Sequence, residues 1–240
     1  PGHTPSEARA AYAYVLALVR SGTISMKRVE ESVRRILALK ARYGLLEWQP
    51  VNPVVAAQSC GTADHRAAAL RVALDSITLL ENDGILPLPA EQSVLLVVPA
   101  RVTGLDDALR AYLPSLTVVQ VGLDPTHSQI AAAVTQAANA DIVIVATWNA
   151  NQHPSQVSLI QALGEYPLVI VALDAPYDLV TLQAANVTPS AYVCAYSDVP
   201  PALDALAMVL SGIELPRGRL PVAVGEPYPV GYGWQRFEGP

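Results

Sequence analysis

The stretch that decides the fold is Ile142-Val143-Ile144-Val145-Ala146, followed directly by Thr147-Trp148-Asn149-Ala150-Asn151-Gln152-His153. Five apolar residues without alternation make a strand that buries both faces. That is the signature of a central strand in a parallel sheet covered by helices on each side. The same kind of run recurs at Val94–Val98, Thr117–Val121, Leu168–Leu173 and Ala191–Ala195. Between the runs lie stretches that read as helices over 104–112, 125–138, 155–163, 177–184 and 200–210. Asp124-Pro125 supplies a cap and first-turn pair for one of them. Right-handed crossovers then give a doubly wound, mostly parallel α/β sheet in a three-layer sandwich. Upstream, Asp64 to about Leu74 reads as a helix leading into Ser76–Leu80, and Asn82-Asp83-Gly84 is a turn.

The first part of the chain has a different character. Thr4-Pro5-Ser6-Glu7 is a capping box with proline at the first helical position, and the helix runs to about Arg20. Ser25 caps a second helix in which Val29, Val33, Ile36 and Leu37 make one apolar stripe. Gly44 suits a left-handed cap. Residues 47–62, with Trp48, Pro50, Pro53 and Gly61, read as a linker. Residues 1–48 hold eight Lys+Arg against four Asp+Glu, and the remainder seven against seventeen. No lysine follows Lys40. The opening Pro-Gly-His-Thr-Pro has neither an initiator Met nor a signal-peptide pattern, which reads as a fragment or a processed chain.

Composition narrows the function classes. Of 240 residues, 52% are hydrophobic and 15% charged, with a net charge of -6, which excludes bulk disorder. Nucleic acid is not an expected partner, because residues 93–200 offer only Arg101 and Arg110 where a phosphate backbone needs clustered cations. A membrane is not expected either. The longest uncharged run, Ile142 to Gly164, carries Asn149, Asn151, Gln152, His153 and Gln156. Two cysteines, Cys60 and Cys194, cannot form a disulfide scaffold. His3, His65, His127 and His153 lack metal-ligand spacing, and no glycine-rich nucleotide loop or Gly-x-Ser-x-Gly elbow occurs. No cofactor or metal is expected.

In open α/β sheets ligands gather at the C-terminal strand ends. Those ends carry Pro99–Thr103, Thr147–His153, Asp174–Tyr177 and Tyr196–Asp198. The 147–153 loop is the best equipped. Trp148 offers a stacking face, Asn149 paired hydrogen bonds and His153 an imidazole, a set suited to sugar. The same residues also satisfy a plain strand-to-helix connection with ordinary caps. Asp83 is the fourth candidate for substrate binding, and reads equally as a turn residue bonding its own backbone. Asp174 and Asp178 read as helix caps. Spacing alone selects no carboxylate pair for glycoside hydrolysis, so no residue is assigned as catalytic.

Several motifs resemble glycoside hydrolase family 3. Ser21-Gly22-Thr23-Ile24-Ser25 with Arg28-Val29-Glu30-Glu31-Ser32-Val33-Arg34-Arg35-Ile36-Leu37 and Lys40-Ala41-Arg42-Tyr43-Gly44-Leu45 resembles the end of its catalytic (β/α)8 barrel. Ser76–Leu88 resembles the entry into its second domain, although Glu81 stands where the family commonly has lysine. Pro216-Arg217-Gly218-Arg219-Leu220-Pro221-Val222 resembles the closing motif. Asn149, Pro154 and Gln156, with Pro176-Tyr177-Asp178-Leu179, resemble the bacterial β-N-acetylhexosaminidase branch.

The resemblance implies three segments: barrel helices over 1–46, a linker over 47–62 and the C-terminal α/β sandwich over 63–240. It implies an accessory domain whose partner is a catalytic barrel carrying the aspartate nucleophile, and whose substrate is a carbohydrate ending in β-linked N-acetylhexosamine. In the β-glucosidase branch a glutamate of the second domain supplies the acid. Residues 147–158 contain no Asp or Glu, which favours the hexosaminidase branch. The implied source is bacterial, cytoplasmic or secreted. Two other classes stay open: a stand-alone sugar or small-ligand module built on 147–153, which needs an exposed Trp148, and a complete small enzyme using Asp83 with a second carboxylate.

Overall fold

The computed structural model describes residues 4–239, so His3 lies outside the described residues. The chain forms two compact units, Pro1–Ser59 and Cys60–Pro240. The first holds α1 (Pro5–Arg20), α2 (Met26–Arg42), a 3-10 turn (Leu45–Glu47) and α3 (Pro53–Ser59). Its termini follow the sequence. Thr4 and Glu7 form the reciprocal capping box, Ser25 accepts from Arg28 N–H, and Gly44 takes φ 68° after α2. One element departs from the expectation of a linker. Asn52 Oδ1 accepts from Val54 N–H at 2.9 Å and starts α3 inside the 47–62 stretch. No residue of α1 or α2 is buried. Val33, Ile36 and Leu37 of the apolar stripe stand about half exposed, and Val29 less so.

The second unit runs α4 (Ala63–Ser76), β1 (Thr78–Asn82), β2 (Val94–Pro99), α5 (Leu105–Arg110), β3 (Leu116–Val121), α6 (His127–Ala137), β4 (Ile142–Thr147), α7 (Pro154–Ala162), β5 (Leu168–Ala172), α8 (Asp178–Ala184), β6 (Ala191–Cys194) and α9 (Pro200–Leu210). All five apolar runs are strands. The sheet order is β1-β6-β5-β4-β2-β3. Every pairing is parallel except that of β1 with β6.

Pleating sends alternate residues of one strand to opposite layers. Ile142, Ile144 and Ala146 of β4 join Leu105, Leu109, Leu203, Leu206 and Leu210 of α5 and α9. Val143 and Val145 join Ala133, Leu159, Ile160, Leu179 and Leu182 of α6, α7 and α8. Every residue of β4 is buried, and each large apolar side chain so placed contributes about 1.5–3 kcal/mol. This is why the run shows no polar alternation.

The closing motif is tied to the antiparallel edge. Gly218 N–H donates to Ile77 O at 2.8 Å, and Trp234 N–H to Leu79 O at 2.9 Å. A Cβ on Gly218 would come within 2.1 Å of Ser76 O, so no larger residue fits between these segments. Asp124 is not the cap of α6. Thr126 is, in a capping box with Gln129, and this frees the Asp124 carboxylate for a contact described below.

Ile144→Ala should cost about 2–5 kcal/mol, because the closed layers cannot collapse onto the void. Val33→Ala, on the exposed stripe, should stay within about 0.5 kcal/mol. Urea unfolding of both variants reads the contrast.

Candidate functional site

The strand order reverses between β2 and β4, where β2 leads to β3 on one side and the chain continues through β4 on the other. Such a switch point opens a crevice at the C-terminal strand ends. Here side chains fill it. Arg101, after β2, lays its guanidinium 3.5 Å above the Trp148 ring, after β4. Asp198, after β6, holds the same guanidinium at 3.3 Å. Trp148 is half-buried against the layer of Ile144 and Leu206. The stacking face expected for sugar is thus occupied by a cation, and the exposed Trp148 that a stand-alone module needs is not found.

Buried amide and carboxyl groups shape the rest of the 147–153 loop. Gln156, 3% exposed, accepts from Trp148 N–H at 3.0 Å through Oε1. Its Nε2 donates to Leu123 O at 2.9 Å and to Trp148 O at 3.0 Å. One side chain of α7 thereby satisfies both backbone groups of Trp148, which would otherwise be buried unpaired at a cost of about 1–3 kcal/mol each. Asn149 sits at φ 49°, a region in which Asn is enriched, and donates Nδ2–H to Asp174 Oδ2 at 2.6 Å. His153 Nδ1 lies 3.0–3.1 Å from both carboxylate oxygens of Asp124. A carboxylate only accepts, so Nδ1 carries the proton in this pair. Ser155 Oγ donates to Asp124 Oδ1 at 3.3 Å.

Asp178 departs furthest from its expected role. It caps nothing: Tyr177 holds the N-cap position of α8 with no side-chain bond, and Asp178 is fully buried. Its Oδ1 accepts from Asn151 N–H at 3.4 Å, and among the described residues its Oδ2 has no hydrogen-bond partner. Burial pushes its carboxyl pKa above the ordinary 3.8, against the Thr147 hydroxyl and the backbone N–H groups of Asn151 and Ala150; the Asp174 charge adds to the rise. Asp174 is no cap either, being engaged with Asn149.

The four candidates therefore divide. Trp148, Asn149 and His153 share one loop over the C-terminal ends of the parallel strands. Asp83 stands at the opposite end of the sheet. Because β1 runs antiparallel, its end meets the start of β6, and Asp83 N–H donates to Ser190 O at 2.8 Å. The structure does not bring Asp83 to the loop, which removes the geometric basis for an enzyme pairing it with a carboxylate there. The sequence singles out Arg101, Asp124, Asp178 and Gln156 but not their contacts, which join segments 27 to 97 residues apart, save those of Gln156 to Trp148.

Among the described residues no group of three or more His, Cys, Asp or Glu is placed to hold a metal. No helix there is long and apolar enough to cross a membrane. Cys60 is exposed, Cys194 is buried, and both are free thiols.

The mostly parallel six-stranded sheet with helices on both sides matches the C-terminal domains of family 3 glycoside hydrolases. The chain is similar to members of that family, as its motifs suggested. It is 42% identical over 82 residues to a β-N-acetylglucosaminidase/β-glucosidase of Cellulomonas fimi, a match covering 34% of this chain and 14% of that protein. It is 28% identical over 246 residues to β-hexosaminidase A of Pseudoalteromonas piscicida, covering 86% and 40%. Among solved structures, a family 3 β-N-acetylglucosaminidase from Paenibacillus sp. superposes with a TM-score of 0.70 at 28% identity, over 90% of this chain and 43% of the other. A β-glucosidase from Listeria innocua shares the fold, with a TM-score of 0.66 at 22% identity, over 92% and 40%. No protein-family model matches the chain. The chain thus spans less than half the length of each of these relatives.

The raised pKa of Asp178 has a stability consequence with a fixed sign. The folded state holds this proton more tightly than the unfolded state. The stability Asp178 contributes is therefore complete below 3.8 and lost as pH rises through its raised value. Asp178→Asn should remove this loss, so the stability difference between variant and parent should move in the variant's favour with rising pH. Urea midpoints across pH 4–8 read that trend, and a difference independent of pH would show that Asp178 titrates normally.

Proposed function

We propose that this chain is the accessory C-terminal part of a family 3 glycosidase of the β-N-acetylhexosaminidase type. The parent enzyme would remove terminal β-linked N-acetylhexosamine with retention, through a glycosyl-enzyme intermediate. The carrying observation is one of extent. The matches to the Pseudoalteromonas and Paenibacillus proteins cover nearly all of this chain and under half of each relative.

In this reading residues 1–46 are the last helices of the catalytic barrel, 47–62 the connection and 63–240 the sandwich. The barrel is the partner and supplies the nucleophile. The half-exposed stripe of Val33, Ile36 and Leu37 supports it, because an amphipathic helix needs an apolar surface to pack on. The lack of any Asp or Glu in 147–158 supports a loop that assists rather than donates the proton. The Gln156 bonds hold that loop in one shape, as a substrate-facing loop requires. Trp148, Asn149 and His153 would then border the sugar. Trp148 would do so under Arg101 rather than as an open stacking face, while Asp83 at the far end of the sheet would not.

The test is hydrolysis of aryl β-N-acetylglucosaminide and aryl β-glucoside by the 240-residue chain and by the same chain joined to an upstream family 3 barrel. Turnover is expected only from the joined protein, with the N-acetylglucosaminide the better substrate. Turnover by the 240-residue chain alone would contradict an accessory role. Preference for the glucoside would contradict the hexosaminidase assignment.

A further inference from the structure

The end of the sheet opposite the 147–153 loop has a groove of its own, of about 320 Å³. That is at the lower end of the range of about 300–1,000 Å³ for small-molecule sites. Its walls include Glu81, Asp83, Ser190, Tyr228, Tyr232 and Trp234. Four chain segments build it: the end of β1, the turn after it, the entry to β6 and the C-terminal segment. Each is pinned. Asp83 N–H is bonded to Ser190 O, Trp234 N–H to Leu79 O, and the Tyr228 and Tyr232 rings meet edge to face at 5.2 Å.

The hydrogen-bond accounts of these side chains show which chemistry remains unanswered. Asn82 is fully occupied: Nδ2 donates to Leu86 O and Phe237 O, and Oδ1 accepts from Leu86 N–H. Tyr228 O–H donates to Glu81 Oε1, and that carboxylate helps push the Tyr228 pKa up, after burial. Trp234 Nε1–H donates to Tyr232 Oη at 3.0 Å. What is left is mostly acceptor. Glu81 keeps one carboxylate oxygen, and among the described residues Asp83 has no side-chain hydrogen bond or ionic partner. No Lys or Arg lines the groove. An anionic ligand is therefore repelled. A ligand that donates hydrogen bonds, carries positive charge and presents an apolar ring face to the aromatics is favoured.

We propose that this groove is a binding site for protonated 2-amino sugars, in which a hexosamine ring lies against Trp234 and Tyr232 and its ammonium faces Asp83. The site is separate from the 147–153 loop, and the proposal stands whether or not the glycosidase reading does. An N-acetyl group replaces the ammonium with a neutral amide, so acetylation removes the charge that Asp83 selects.

The test is titration of the isotopically labelled 240-residue chain with fully deacetylated chitotriose, and separately with the N-acetylated trisaccharide, below the pKa of the amines. The readout is the Trp234 indole N–H resonance, assigned by its absence in Trp234→Phe. A saturable shift is expected with the amine form, and at least about tenfold weaker affinity for the N-acetyl form. Asp83→Asn should weaken the amine form about tenfold, the scale of one charge-assisted hydrogen bond. Asp107→Asn, an exposed acid on α5, should leave it unchanged. Three results would overturn the proposal: no saturable shift, equal affinity for both trisaccharides, or equal weakening by the two substitutions. The last would mean diffuse attraction to a chain of net charge -6.

Discussion

The second unit depends on β4 being buried on both faces. A strand with Ile142, Ile144 and Ala146 on one side and Val143 and Val145 on the other can exist only between two helical layers. Parallel neighbours then require crossovers, and crossovers carry the chain over one layer or the other. The helices α5 and α9 answer one set of β4 side chains, and α6, α7 and α8 the other. Within β4 the only polar side chain is Thr147, at its C-terminal end. Chemistry is thus confined to two rims, and the two rims of this protein are differently furnished.

The rim at the C-terminal strand ends is closed and internally paired. Arg101 covers Trp148, Asp174 takes Asn149, Asp124 takes His153, and Gln156 fixes the Trp148 backbone. These pairs make a shaped surface rather than an open ligand cavity. Asp178 lies beneath it with one carboxyl oxygen unpaired among the described residues, a local cost accepted in a layer otherwise satisfied. The rim at the other end is an open groove whose side chains retain acceptors.

The core was legible because burial on both faces erases polar alternation, and that erasure is local in sequence. The five runs, the intervening helices and the caps at Thr4 and Ser25 rest on signals within four residues of one another. What was not legible depends on direction or distance. Asp83 follows a strand as Trp148 does, and only the antiparallel sense of β1 places the two at opposite ends of the sheet. Asp124 beside Pro125 has the form of a cap, yet Thr126 with Gln129 makes the reciprocal pair and leaves Asp124 to His153, 29 residues away. The helix α3 is short and begins at Pro53, three residues after Pro50, where local signals favour a loop. Arg101 over Trp148 joins two loops 47 residues apart, and no spacing rule connects them.

The sandwich of the second unit closes its own core, whereas α1 and α2 bury no residue. Native-state amide hydrogen exchange on the whole chain tests this contrast most directly. The amides of Ile144 and Val145 should exchange only through global unfolding, while those of α1 and α2 should exchange through local opening at far lower free energy. Equal protection in α1, α2 and β4 would contradict the account, since it would require the helices to be packed into the same cooperative core.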